Sequence, residues 1–394
     1  MIRYVIVGAG IAGTSAAEEI RKCDQEGEIT LIGEEEHALY SRVLLPHYIK
    51  GKIPREKCFL KREAWYDEQR IEYLRGERVE SIDTAHRHVV LKIAGRELPY
   101  DKLLITTGGE PSSINADVRG ISYLQTLDDA DHLLQLLGEL AGKHDARAAV
   151  CGGGFIACEY LNIFKHFGIP TTCFHRGPWF WSRVLGEESG RLIESVLKRE
   201  DVEVWPQTTL ADISAKGGSG SAGHGSIQVE TTNGLARADL LGIGIGLGRD
   251  LRWIQKSGIE VEAGVRTNSF LETSVEGVWA AGDVAEFDDP LTGHAMMGGN
   301  WMNAIMQGRT AGKSMVGERT EFRLVTSYAT NIFGTEIIFI GDTRRALADE
   351  VRVEGTAGEG AVTQRFYDSG RLVGATMVGT NKDRMKLAKE IENT

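Results

Sequence analysis

Gly8-Ala9-Gly10-Ile11-Ala12-Gly13 follows an apolar run at residues 4–7 and opens a helix-like stretch at residues 12–22. Strand, glycine turn and helix in that order form a phosphate-cradling unit. Glycine lets the backbone approach a pyrophosphate, and the helix N-terminus supplies positive potential. A second apolar run at residues 29–32 ends beside Glu34, close to where an acid meets ribose hydroxyls in such units. Gly152-Gly153-Gly154-Phe155-Ile156-Ala157 repeats the arrangement, between a strand pattern at 148–151 and a helix pattern at 155–167, with a further strand at 171–174. One such turn is weak evidence, but two in matched contexts predict two dinucleotide sites. A chain that holds two dinucleotides is suited to passing electrons between them.

The chain has 394 residues, more than a single core accommodates, so two or three domains are expected. Its 48 glycines against 8 prolines predict many tight turns between alternating strands and helices, an α/β architecture. The 45 Lys and Arg against 56 Asp and Glu leave a formal charge of −11, which argues against nucleic acid or an anionic membrane as partner. No stretch reaches the length of a membrane span. The apolar opening runs into the glycine turn without a long h-region or cleavage site. Cys23, Cys58, Cys151, Cys158 and Cys173 are odd in number, scattered and without metal-ligand spacing, so a cytoplasmic setting and no metal site are expected.

Between the glycine units lie a variable segment at 40–80, a meander-like run at 79–100 and a strand at 103–106 ending in Thr106-Thr107-Gly108-Gly109, which reads as a crossover. The run 271–283 has strand character and ends at Gly282-Asp283. Residues 216–226, rich in glycine and serine, read as a mobile loop interrupting a hairpin. Strands at 337–340 and 361–367 and a charged helix at 382–392 make a smaller α+β unit. The expected division is 1–110 with 238–318, then 111–237, then 319–394.

These residues resemble the two-dinucleotide flavoprotein reductases, which bind FAD in one domain and NAD(P)H in another. Residues 34–42, Glu34-Glu35-Glu36-His37-Ala38-Leu39-Tyr40-Ser41-Arg42, are similar to the segment found in rubredoxin and ferredoxin reductases, nitrite reductase flavin domains and apoptosis-inducing factor. The resemblance implies two Rossmann-like domains of the glutathione-reductase kind with a small C-terminal domain. It assigns Gly8, Gly10, Gly13, Glu34, Arg42, Thr107, Gly108, Gly282 and Asp283 to FAD, with Glu34 on the adenosine ribose and Asp283 accepting from the ribityl chain. Gly152, Gly154, His175 and Arg176 fall to NAD(P)H. The segment from Asn300 with Trp301 is similar to one that places a tryptophan near the flavin ring, although Trp301 also reads as core.

The departures matter as much. Disulfide reductases of this fold carry one or two cysteines on the helix that matches residues 40–47, and this chain carries none, so thiol relay is not expected and electrons leave the flavin directly. His47 stands where these reductases usually have a lysine near the flavin edge, which in the family can pair with the glutamate that matches Glu159; an exposed loop histidine is the plainer reading. His175-Arg176 replaces the acid that selects NADH, which favours NADPH, with a surface cation as the plainer reading of Arg176. Phe155 reads as an aromatic gate or as a packing residue at a helix start. The cluster Lys382, Arg384, Lys386 and Lys389 reads first as a solvated helix face and second as a docking patch. The implied activity is transfer of hydride from NAD(P)H to FAD and of electrons onward to an external acceptor such as a small rubredoxin- or ferredoxin-like carrier. A homodimer is left open. The rival is a flavoprotein with a degenerate nicotinamide site that acts as a redox-sensitive binding protein.

Overall fold

The computed structural model describes residues 1–93, 95–216, 226–380 and 383–393. The 216–226 loop falls almost wholly outside the described residues, as does Lys382. The chain divides into two compact units, Met1–Val43 with Arg55–Glu110 and Gly248–Thr326, and Leu44–Pro54 with Pro111–Leu247 and Ser327–Thr394.

The first unit is built on a five-stranded sheet in the order Val278–Ala280, Lys102–Ile105, Arg3–Val7, Glu28–Ile32 and Ile71–Leu74, every pair parallel. Tyr4, Val5, Ile6 and Val7 are all buried, as expected of a central strand covered on both faces. Helix Ile11–Cys23 follows the central strand and crosses helix Trp301–Met315 through small residues. A β-carbon on Gly308 would lie 2.1 Å from the Ala12 carbonyl oxygen, and one on Gly312 would lie 2.9 Å from that of Ala16. The meander at 79–100 forms as expected, as antiparallel Val79–Asp83, His88–Leu91 and Glu97–Pro99.

Two local expectations change. Only Val278–Ala280 of the run 271–283 is a strand, because the Thr273 hydroxyl donates to the Val278 carbonyl at 3.0 Å and Gly277 turns the chain at a φ of +78°. The variable segment contributes the edge strand Ile71–Leu74, which the sequence reading did not isolate.

The second unit repeats the parallel arrangement in the order Glu203–Trp205, Thr171–Phe174, Ala148–Cys151, Leu240–Ile243 and Ile121–Ser122. Leu240–Ile243 pairs with Ala148–Cys151, so the chain returns to the first unit at Gly248 and not at 238. Leu44–Pro54, expected in the first domain, also belongs to this unit. A five-stranded antiparallel sheet, Ser327–Ile332 through Arg371–Gly379, and helix Arg384–Glu392 complete it. Gln364 ties that sheet to helix Glu187–Arg199: its buried Oε1 accepts from Gly186 N at 2.8 Å, from Ser189 Oγ at 3.3 Å and from Thr376 Oγ1 at 3.1 Å. Among the described residues no helix is long and apolar enough to cross a membrane.

Candidate functional site

In the first unit Gly8 takes a φ of +114°, and a β-carbon there would lie 2.3 Å from the Thr106 carbonyl oxygen. The Thr106 hydroxyl donates to the Gly8 carbonyl at 2.8 Å, and a β-carbon on Gly13 would lie 2.0 Å from that same oxygen. Gly8 and Gly13 therefore serve close backbone packing. Gly10 does something different. A β-carbon there would meet nothing within 4 Å, and no side chain caps the helix that starts behind it. Helix N-terminal amides without internal partners, beside an open glycine, form an anion cradle.

Gly282 and Asp283 come to this cradle from the far end of the unit's sequence. A β-carbon on Gly282 would lie 3.0 Å from that of Ala12, and Gly282 N donates to the Gln307 Oε1 at 2.7 Å. The Asp283 carboxyl makes no hydrogen bond among the described residues. Burial raises its pKa, and the positive charges of Arg249 and Arg42 oppose that rise. Arg42 Nη2 binds Glu35 at 2.7 Å, and the Tyr40 hydroxyl also donates to Glu35. Glu34 is exposed and accepts from Arg78 Nη1 at 2.8 Å. Thr107 is exposed, Gly108 has a φ of +69° with open space about it, and Trp301 is half-buried at the start of its helix. Arg249 carries no signal in the sequence, because only the fold brings it to Asp283.

In the second unit Gly152, at a φ of +134°, is pressed against Gly244, whose carbonyl oxygen a β-carbon would meet at 2.1 Å. Gly154 is open except for the Trp181 ring at 3.8 Å. Phe155 is 38% exposed. Its ring centroid lies 6.1 Å from Trp181 and 6.3 Å from Tyr328. Tyr328 stacks on Phe339 at 4.9 Å. Phe155 thus belongs to an aromatic cluster and still presents a face to solvent.

His175 and Arg176 part company. The His175 ring is buried, its Nδ1 is 3.1 Å from the Gly177 carbonyl, its Nε2 is 3.6 Å from Glu194, and burial lowers its pKa. Arg176 is exposed. The pairing expected between His47 and Glu159 does not form. His47 is exposed on the short helix Leu45–Ile49, and its pKa is lowered by desolvation and by the neighbouring charges of Lys50 and Lys52. The charge that acts on Glu159 is Lys50, three residues further along. Burial raises the Glu159 pKa, opposed by Lys50 and the Thr330 hydroxyl. The thiols of Cys151, Cys158 and Cys173 lie buried beside the second turn, and all five cysteines are free. Burial pushes Cys151 up to about 12, which makes it a packing residue and not a nucleophile. Among the described residues no metal-binding cluster occurs.

Two parallel sheets, each with a glycine turn at a helix N-terminus, define the class of a two-dinucleotide α/β fold. Residues 2–308 match the family model of the pyridine nucleotide-disulphide oxidoreductases. The chain belongs to that family.

It is 28% identical over 384 residues to the ferredoxin--NAD(+) reductase component of the biphenyl dioxygenase system of Paraburkholderia xenovorans, covering 96% of this chain and 90% of the relative. It is 26% identical to nitrite reductase [NAD(P)H] of Bacillus subtilis, covering 99% of this chain and 47% of the relative. The chain spans less than half the length of the Bacillus subtilis relatives it matches. It shares its fold with the reductase in the putidaredoxin reductase–putidaredoxin complex, at a TM-score of 0.88 and 23% identity, covering 99% of this chain and 92% of that one. The resemblance to ferredoxin and nitrite reductases is thereby borne out.

Proposed function

We propose that the first unit binds FAD, that the second binds NAD(P)H, and that the protein reduces a small ferredoxin- or rubredoxin-like carrier. The observation that carries the reading is the pair of open glycines, Gly10 and Gly154, each at the start of an uncapped helix in its own parallel sheet. When bound, the flavin supplies hydride acceptance from nicotinamide and onward release of electrons. The protein's own part is binding and orientation. The helix behind Gly10 holds pyrophosphate through its first-turn amides, and Asp283, whose carboxyl has no hydrogen bond among the described residues, accepts from sugar-chain hydroxyls. The helix behind Gly154 holds the second pyrophosphate. Phe155 shields the nicotinamide site from water, and burial favours the protonated form of Glu159. Trp301 belongs to the FAD site in this reading.

The carrier as acceptor is supported by the names of relatives that are ferredoxin--NAD(+) reductase components. NADPH as the preferred donor rests on the exposed Arg176; the buried His175 drops out as a selecting group. A cytoplasmic setting is part of the same proposal, supported by five free cysteines.

Anaerobic stopped-flow mixing with NADH and with NADPH tests the core of the reading, followed by a screen of ferredoxins and rubredoxins as acceptors of the stored electrons. Flavin bleaching within the dead time to seconds is expected. Bleaching over hours with no carrier reduced would replace the reductase with a redox-sensitive binding protein. Asp283→Ala is expected to lose FAD on gel filtration; unchanged retention removes that residue from the site.

A further inference from the structure

Arg249 lies half-buried in the first unit with no carboxylate bound to it among the described residues. Its Nε donates to the backbone carbonyl of Asp283 at 2.6 Å, which leaves both terminal nitrogens without a protein hydrogen bond. The adjacent carboxylate is already engaged, since Asp250 accepts from Arg252 through Nε at 2.9 Å and through Nη2 at 3.1 Å. The carboxyl of Asp283 makes no ion pair with it either. Burial lowers the Arg249 pKa, opposed by the negative charge of Asp283. A partly desolvated guanidinium whose terminal nitrogens carry no protein partner is open to a ligand anion.

The position of that anion follows from the turn that Arg249 grips. Gly282, which opens the turn Gly282–Val284, is in van der Waals reach of Ala12, in the first turn of the helix behind Gly10. The guanidinium therefore belongs to the same corner of the unit as the anion cradle. A guanidinium offers two parallel donors, the geometry that suits phosphate oxygens.

We propose that Arg249 is a cofactor-binding residue that clamps the Gly282–Val284 turn through Nε and binds the pyrophosphate of FAD through its two terminal nitrogens. The inference rests on the FAD reading above and adds to it a residue that no glycine or acid motif marks.

The test uses the full chain stripped of flavin. Binding is measured by fluorescence with FAD and by calorimetry with ADP, which carries the pyrophosphate without a flavin. Arg249→Gln, which keeps a neutral donor for the Asp283 carbonyl, is expected to weaken FAD and ADP alike by roughly tenfold, the scale of a charge-assisted hydrogen bond. Arg249→Lys, which keeps the charge, is expected to recover part of the loss for both. Unfolding midpoints of the stripped proteins establish that each variant is folded. Unchanged affinity for both ligands in Arg249→Gln would reduce Arg249 to a structural clamp and overturn the proposal. Weakened FAD with unchanged ADP would also overturn it, by moving the contact away from the pyrophosphate. A wild-type chain that binds ADP but no FAD overturns the FAD reading and leaves the ADP comparison to judge Arg249 separately.

Discussion

Neighbouring side chains in this protein meet different surroundings, and their chemistry follows from those surroundings. His175 and Arg176 are adjacent, yet one ring is buried against the Gly177 carbonyl and the other side chain is exposed. Arg176→Ala is expected to lower kcat/KM for NADPH by the equivalent of about 1–3 kcal/mol, the range for a hydrogen bond to a charged group, while leaving that for NADH unchanged. Initial rates with both nucleotides decide it, and equal losses for the two would remove Arg176 as the selector.

Glu159 gives a pH dependence of definite sign. Its folded pKa is raised by burial, so the stability it contributes is complete below the ordinary glutamate value and is lost as pH rises through the folded value. Lys50 favours the charged form. Lys50→Met is therefore expected to raise the Glu159 pKa further, seen as a protonated-carboxyl infrared band, absent in Glu159→Gln, that persists to higher pH. His47→Ala should leave that band where it is; a shift there would restore His47 as the partner. The sequence placed His47 by matching a family position. The cation whose charge acts on Glu159 sits three residues further along, and periodicity alone does not say which of two basic residues will do so.

At the scale of elements, helices Ile11–Cys23 and Trp301–Met315 of the first unit cross at close range. The neighbour of Gly308 is a backbone oxygen of Ala12 at 2.1 Å from a would-be β-carbon, so no side chain can move aside to make room. Gly308→Val is expected to cost at least about 1–3 kcal/mol, the usual range for overpacking, measured as a fall in the denaturation midpoint with the slope retained. Gln364→Ala strips Gly186, Ser189 and Thr376 of a shared acceptor and is expected to cost about 1–3 kcal/mol for the buried donors left unmet. A midpoint unchanged in either variant would contradict the packing described.

Strands Ala148–Cys151 and Thr171–Phe174 were legible in the sequence to the residue, because each is a short apolar run bounded by turn residues. The edge strand Ile71–Leu74 was not. With Glu72 exposed and Tyr73 and Leu74 half-buried, its pattern is too weak to stand out from the segment around it.

For the whole molecule, two compact units formed from interleaved segments should respond to ligands separately. A ligand stabilises the unit that binds it by about 4 kcal/mol at a thousandfold excess over Kd. Scanning calorimetry of the stripped chain is expected to show that FAD raises one transition and NADP+ another. One transition raised by both, with no second response, would mean that the proposed division of the two cofactors does not hold.

What the sequence determined by itself is the local chemistry of the two glycine turns. Positive φ at Gly8 and Gly152, and a missing β-carbon at Gly13 where the Gly8 carbonyl passes close, are demands that a few consecutive residues meet or fail on their own. The family and the α/β class followed from that. Only the tertiary structure decided that Gly282 meets Ala12, that Arg249 reaches the Asp283 carbonyl, that the charge of Lys50 acts on Glu159, and that Leu240–Ile243 belongs to the second sheet. These contacts join residues far apart in the chain, and their free energy depends on burial and distance, quantities that exist only once the chain has folded.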